Sequence, residues 1–170
     1  MNLMSNIELL ADQFGLTYCV DCGKCVAVCP MAEIFDDFTY EVSPRGVIEA
    51  VLLDDCVEGL ESDRFWFCLS CDLCTDLCPA GVQFRAFMNA IRVSIIEAGV
   101  TDFGLFCRNC GRYLWPRHTV KYLQQVLGET TEDHMMLCST CRQYEFGEHL
   151  RSMVPGSRQV LHRRSHSRDD

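Results

Sequence analysis

Apolar side chains recur at helical spacing in several separate stretches of the chain. Leu3, Ile7, Leu10 and Phe14 fall on one face of a helix over residues 3–14, whose apolar side should cover whatever the next segment holds. Ser43-Pro44 is a helix start, because serine caps free amides and proline at the first helical position has no amide to lose. The helix predicted there runs from Pro44 to about Asp54. Val82, Phe84, Phe87, Met88, Ile91, Ile95 and Ile96 line one face of a third helix of about 15 residues, which Gly99 ends. A shorter helix is predicted from His118 to Leu127, closed by Gly128. Between these, the acidic stretch 31–42 shows no period and reads as irregular.

The gaps between the helices are filled by cysteine. CVDCGKCVAVCP at 19–30 and CLSCDLCTDLCP at 68–79 share every cysteine position and the closing proline, an internal repeat of the form C-x2-C-x2-C-x3-C-P. A tight C-x2-C-x2-C loop supplies three of the four thiolates that a cubane 4Fe-4S cluster needs, and the fourth must come from elsewhere. In the bacterial-ferredoxin arrangement the last cysteine of each run serves the other cluster. Applied here, one cluster takes Cys19, Cys22, Cys25 and Cys78, and the other takes Cys68, Cys71, Cys74 and Cys29. Zinc sites and disulfides fit less well, since zinc ribbons pair one C-x2-C with another and do not run three cysteines at that spacing. Phe65, Trp66, Phe67, Val26, Val28, Leu69, Leu73 and Leu77 flank the runs and are expected to keep water from them, as ordinary core residues do.

A second cysteine group follows. Cys107 and Cys110 form one C-x2-C knuckle, Cys138 and Cys141 another, a set suited to a tetrahedral ion with four thiolates. Structural zinc is the preferred occupant; mononuclear iron, a third iron-sulfur cluster and unmetallated thiols stay open. Arg142 follows the second knuckle where Gly111 follows the first, so the two halves are not equivalent. His118 and His134 are candidate replacement ligands, although isolated surface histidines are commoner. Cys56 is left over and reads as a small buried apolar residue. The organisation expected is a helical two-cluster domain over 1–100, a zinc-ribbon-like four-cysteine module over 101–150, and a basic, disordered tail over 151–170.

Composition narrows the setting. Thirteen cysteines in 170 residues, with no basic and apolar leader at the start, favour metal in a reducing compartment over disulfides, hence a cytoplasmic place. The most apolar segment, Ile91 to Val100, is interrupted by Arg92, Ser94 and Glu97, so no direct membrane span is expected and any membrane association would run through partners. The net charge of −9 argues against nucleic acid as a target.

The segments YEVSPRGVIEAVLLDD and FWFCLSCDLCTDLCPAGVQFRAFMNAIR resemble the C subunit of heterodisulfide reductase and its bacterial relatives, over residues 3–98. That resemblance implies a mainly α fold, the α-helical ferredoxin. It also implies an electron-transfer role in a hetero-oligomer, between a flavin-containing A-like subunit and a cysteine-rich B-like subunit, with the eight motif cysteines as cluster ligands. Residues 102–170 have no place in the basic family pattern. No glycine-rich nucleotide loop and no nucleophile and base pair is visible, so the chain is expected to be non-catalytic alone. Two other readings stand beside the relay: an adapter passing electrons from a membrane-linked dehydrogenase to quinone, and a structural or oxygen-sensing assembly module.

Overall fold

Ser43 opens a helix in the way its chemistry dictates. Its hydroxyl accepts from the amide of Gly46 at 3.1 Å, Pro44 takes the first helical position, and the pair is buried at the centre of the fold. In the computed structural model, which describes residues 3–53, 63–128 and 135–153, this helix spans Pro44–Leu52. The expectations for Cys56, His134 and residues 154–170 lie outside the described residues.

Chain order places α1 at Leu3–Gln13, a one-turn α2 at Lys24–Ala27, a one-turn α3 at Met31–Ile34 and α4 at Pro44–Leu52. A one-turn α5 at Leu73–Asp76 and the long α6 at Phe84–Glu97 follow. Beyond them come β1 (Gly104–Phe106), β2 (Tyr113–Pro116), α7 (Arg117–Leu127) and α8 (Ser139–Met153). The fold is mainly α, with one antiparallel pair of short strands in which Leu105 faces Trp115.

Three of the predicted helices carry one core. Ile7 and Ala11 of α1, Val47, Ile48 and Val51 of α4, and Phe84, Phe87, Met88, Ile91 and Ile95 of α6 pack around Phe65 and Trp66, which are fully buried. The first helix reaches the cysteine segments indirectly: it packs on α4 and α6, Asn6 donates to Ser94 at 2.8 Å, and the carbonyl of Phe14 accepts from the Gln83 amide at 2.9 Å. Two expectations need correction. Residues 31–42 are not wholly irregular, since Met31–Ile34 closes one helical turn and Tyr40–Val42 a 3-10 turn. Leu77 does not line either cysteine cavity and is exposed, whereas Leu73, though partly exposed, lines the cavity of the second run.

The C-terminal module clasps the body at the aromatic triplet. Tyr113 meets Trp66 edge-on at 5.8 Å, and Phe103 lies 6.4 Å from the same ring. His118 of α7 stacks on Phe67 at 4.1 Å, with Phe35 edge-on to both. The module has little core of its own, built from Cys107, Leu137 and Cys138 with Leu114 against them. Among the described residues no helix is long and apolar enough to cross a membrane.

The start of α4 is the tightest point. A Cβ on Gly46 would meet the carbonyl oxygen of Tyr40 at 2.1 Å, and that atom is backbone. Ser43→Ala should cost about 1 kcal/mol, the usual loss of a cap. Gly46→Ala should cost about 3 kcal/mol, the upper end for an overpacked core. Urea unfolding followed by far-UV circular dichroism checks the order of the two; equal midpoints would contradict it.

Candidate iron-sulfur and metal centres

Both cysteine runs fold into the same loop. Asp21 and Ser70 occupy matching places in the repeat and both sit in the left-handed region, at φ 54° and 55°. Gly23 and Asp72, one step beyond the second cysteine of each run, follow at φ 71° and 73°. Such angles are uncommon for residues other than glycine, and Asp is among the side chains that tolerate them best. Two left-handed residues in each loop curl the backbone so that three thiols face one centre, and a single helical turn, α2 or α5, carries the chain to the fourth cysteine.

That fourth cysteine lines the other loop's cavity. Cys19, Cys22, Cys25 and Cys78 line one cavity, together with Val20, Arg45 and Ile48. Cys29, Cys68, Cys71 and Cys74 line a second, with Met31, Val47 and Arg85. The two cavities are neighbours, for Pro44, Cys74 and Phe84 line both. Burial pushes the Cys29 thiol up to about 11 and the Cys74 thiol up to about 12, and in each case the thiols of Cys68 and Cys71 add to the effect. Cys22 and Cys71 are the exposed members of their sets.

Helix starts and arginines repeat with the loops. Pro44-Arg45 opens α4 beside the first cavity, and Phe84-Arg85 opens α6 beside the second. Arg45 pairs with Asp21, and Arg85 pairs with Asp72 at 2.5 Å. The positive ends of both helices therefore adjoin sulfur, which favours negative charge there.

The module gathers four more thiols. The ligand atoms of Cys107, Cys110, Cys138 and Cys141 all lie within 4.8 Å of one another, with Cys110 and Cys138 Sγ 3.7 Å apart. A tetrahedron with metal-sulfur bonds of about 2.3 Å has edges of about 3.8 Å, so the spacing suits a single ion. No three of the eight motif thiols converge this closely; they surround wider spaces, as a cubane needs. Gly111, at φ 71°, turns the first knuckle between β1 and β2, its amide donating to the Cys107 carbonyl at 2.8 Å. The second knuckle opens α8, so Arg142 continues a helix and no glycine is required there.

The amide of Cys138 donates to Cys107 Sγ at 3.4 Å, and that of Cys141 to Cys138 Sγ at 3.4 Å. Chiefly through the Cys138 amide, the Cys107 thiol is held down to about 6; Cys138 is lowered too, mainly by the Cys141 amide. Cys141 is pushed up to about 12, first by its bond to Cys138. His118 is not part of this set: it is half-buried, stacked on Phe67, with Nε2 3.4 Å from Asp63.

Sequence reasoning passed over Arg92. It is 4% exposed; its Nε donates to the Phe65 carbonyl at 2.8 Å, Nη1 to Ser70 Oγ at 3.2 Å and Nη2 to the Cys68 carbonyl. The signal was a charge on the buried stripe of α6, four residues after Met88 and three before Ile95. Nearby, Trp66 Nε1 and Tyr113 Oη are buried without a protein partner.

Comparison with known proteins agrees with this geometry. Residues 15–82 match the family profile of a 4Fe-4S dicluster domain. A protein of Archaeoglobus profundus that is named as like the C subunit of heterodisulfide reductase is 34% identical over 90 residues, covering 53% of this chain and 45% of the relative. The C subunit of the ferredoxin:CoB-CoM heterodisulfide reductase of Methanosarcina acetivorans is 34% identical over 126 residues, covering 69% of this chain and 49% of the relative. That share exceeds what residues 3–98 can supply, so the similarity reaches into the C-terminal module. The glycolate oxidase iron-sulfur subunit of Escherichia coli is 34% identical over 104 residues, 58% of this chain and 24% of the relative. The chain spans about half the length, or less, of these curated relatives. Residues 15–82 are thus a 4Fe-4S dicluster domain, and it is around this domain that the chain is similar to heterodisulfide reductase C subunits and their relatives.

Proposed function

We propose that the chain is an electron-transfer subunit that relays single electrons through two 4Fe-4S clusters between partner subunits of a heterodisulfide reductase-like oxidoreductase. The observation that carries this reading is the pair of adjoining cavities, each lined by three cysteines of one run and the last cysteine of the other, with Cys74 on the wall they share. Cys19, Cys22, Cys25 and Cys78 hold one cluster; Cys68, Cys71, Cys74 and Cys29 hold the other. The clusters supply the one-electron chemistry. The chain's residues set thiolates around them, and the exposed edges at Cys22 and Cys71 leave each site one face toward a donor or acceptor. A flavin-containing A-like subunit and a cysteine-rich B-like subunit are the partners this reading assigns, in a cytoplasmic complex.

In the same reading residues 1–100 are the cluster domain and 101–150 the module, whose four thiols hold one structural zinc. The 3.7 Å contact between Cys110 and Cys138 supports an ion over a third cubane.

Anaerobic metal and sulfide analysis with EPR of the reduced protein tests the whole assignment. About eight iron, about eight sulfide and about one zinc per chain are expected, with spin-coupled signals. Zinc without sulfide would sink it. Stopped-flow mixing with a pre-reduced partner should show electron exchange faster than turnover of the complex; clusters that no plausible donor reduces would leave only a structural role.

The crossing has its own test. If Cys29 serves the cluster of the second run, Cys29→Ser combined with Cys71→Ser damages one cluster and leaves about four iron, whereas Cys29→Ser combined with Cys22→Ser damages both and leaves almost none. The opposite ranking of iron contents means the runs do not cross.

A further inference from the structure

The two halves of the site are near copies except at one buried charge. Each loop has one arginine at the start of the following helix, and each of those arginines is matched by an aspartate of its own loop: Arg45 by Asp21, Arg85 by Asp72. These pairs cancel in the comparison of one cavity with the other. Arg92 has no counterpart in the first half. All its partners are neutral: two carbonyls, the Ser70 hydroxyl and the face of Trp66 at 5.9 Å. Among the described residues no carboxylate pairs with it.

Burying a guanidinium without a counter-charge is costly, and proteins retain such a group where something negative compensates it. Arg92 donates to the carbonyl of Cys68 itself and to Ser70, whose amide in turn donates to Cys68 Sγ at 3.3 Å. Two of its contacts thus run to the loop that carries Cys68, one of the set Cys68, Cys71, Cys74 and Cys29, which is negative when it holds its cluster. The matching position in the first loop shows the alternative: where the second run has Ser70, the first has Asp21, and the carboxylate neutralises Arg45 there.

We propose that Arg92 makes the second cluster, held by Cys68, Cys71, Cys74 and Cys29, the more easily reduced of the two, so that a single electron entering the chain rests there. The proposal depends on the two-cluster reading. One electron adds one negative charge to a cluster and its thiolates, and no proton need follow. A fixed cation in a dry site favours that added charge, with little screening by salt. On the other side Arg45 is paired with Asp21, and Lys24, which also lines that cavity, is exposed to water and screened by salt, so neither gives the same net effect.

The test is an EPR-monitored redox titration of the full chain, with dithionite as reductant. In the wild type two midpoints are expected. Arg92→Gln should lower the higher midpoint and leave the lower one in place, shifting the distribution of the first electron at least tenfold, about 59 mV for a one-electron couple. Arg92→Lys, which keeps the charge, should retain most of the gap. If Arg92→Gln does not hold the second cluster, Ser70→Asp reads the same charge: it places a carboxylate on Arg92 at a backbone position that the first loop already fills with Asp21, and the higher midpoint should fall. An unchanged gap in these variants, a parallel shift of both midpoints, or a lysine variant as impaired as the glutamine variant overturns the proposal. A wild-type chain without two clusters overturns the cluster reading itself, and iron and sulfide content tells the two failures apart.

Discussion

Four sulfurs converge on each of two cavities only because Cys29 and Cys78 exchange places between the runs. Each run can curl three thiols around a centre with its left-handed pair of residues, but the following turn carries the last cysteine out of its own loop and against the other. Two segments that start 49 residues apart in sequence must then lie side by side, and the helices between and after them are fixed at their N-terminal ends. Pro44 and Phe84 open those helices on the shared wall of the two cavities. The hydrophobic core grows from the far side of the same wall, where α1, α4 and α6 close over Phe65 and Trp66. Thiols at about 11 and 12 in this region are protonated at neutral pH, so loading must release protons and favour the folded arrangement together.

Duplication explains most of the geometry, and departures from it mark where the two halves differ in charge. Matching left-handed angles, matching one-turn helices and matching arginine and aspartate pairs are retained. Asp21 against Ser70 and Gly23 against Asp72 exchange charge between neighbouring positions without altering the backbone, because Asp, Ser and Gly all reach the left-handed region at modest cost. Arg92 is a different kind of change. It adds a full charge inside the core of one half only, and it needs a helix from the second half to carry it.

The parts legible in the sequence were those that depend on residues close together in the chain. The cysteine spacing, the Ser43-Pro44 cap and the apolar stripe of α6 are all local patterns, and they predicted elements within a few residues of those observed. The start of α7 differs from the expected His118 by one residue. Apart from the exchange of Cys29 and Cys78, expected from the bacterial-ferredoxin arrangement, long-range pairings were not legible. The hairpin of β1 and β2 is two short apolar stretches around the Cys107 knuckle, too brief for alternation to show. The helix α8 has no buried residue, so no apolar period announces it; its start is set by the second knuckle. Arg92 looked like a mere break in an apolar segment because its partners, Phe65, Cys68 and Ser70, lie more than twenty residues earlier.

The position of the module follows from how little it can bury. With Cys107, Leu137 and Cys138 as its buried centre, it lacks the apolar area that sustains a small fold. The ion proposed for its four thiols would supply what that core lacks, and the body gives it a surface to lean on. Both sides of its contact fall on the three aromatic residues before Cys68: Tyr113 and Phe103 against Trp66, His118 against Phe67. Tyr113 Oη is buried there, close enough to Arg92 and Cys68 for both charges to act on it. The module is thus placed to exclude water from the half of the site that holds the unpaired cation, and a drier surrounding strengthens the effect of that cation on a negative neighbour. The asymmetry between the halves is therefore built twice, once by Arg92 from within and once by the module from outside.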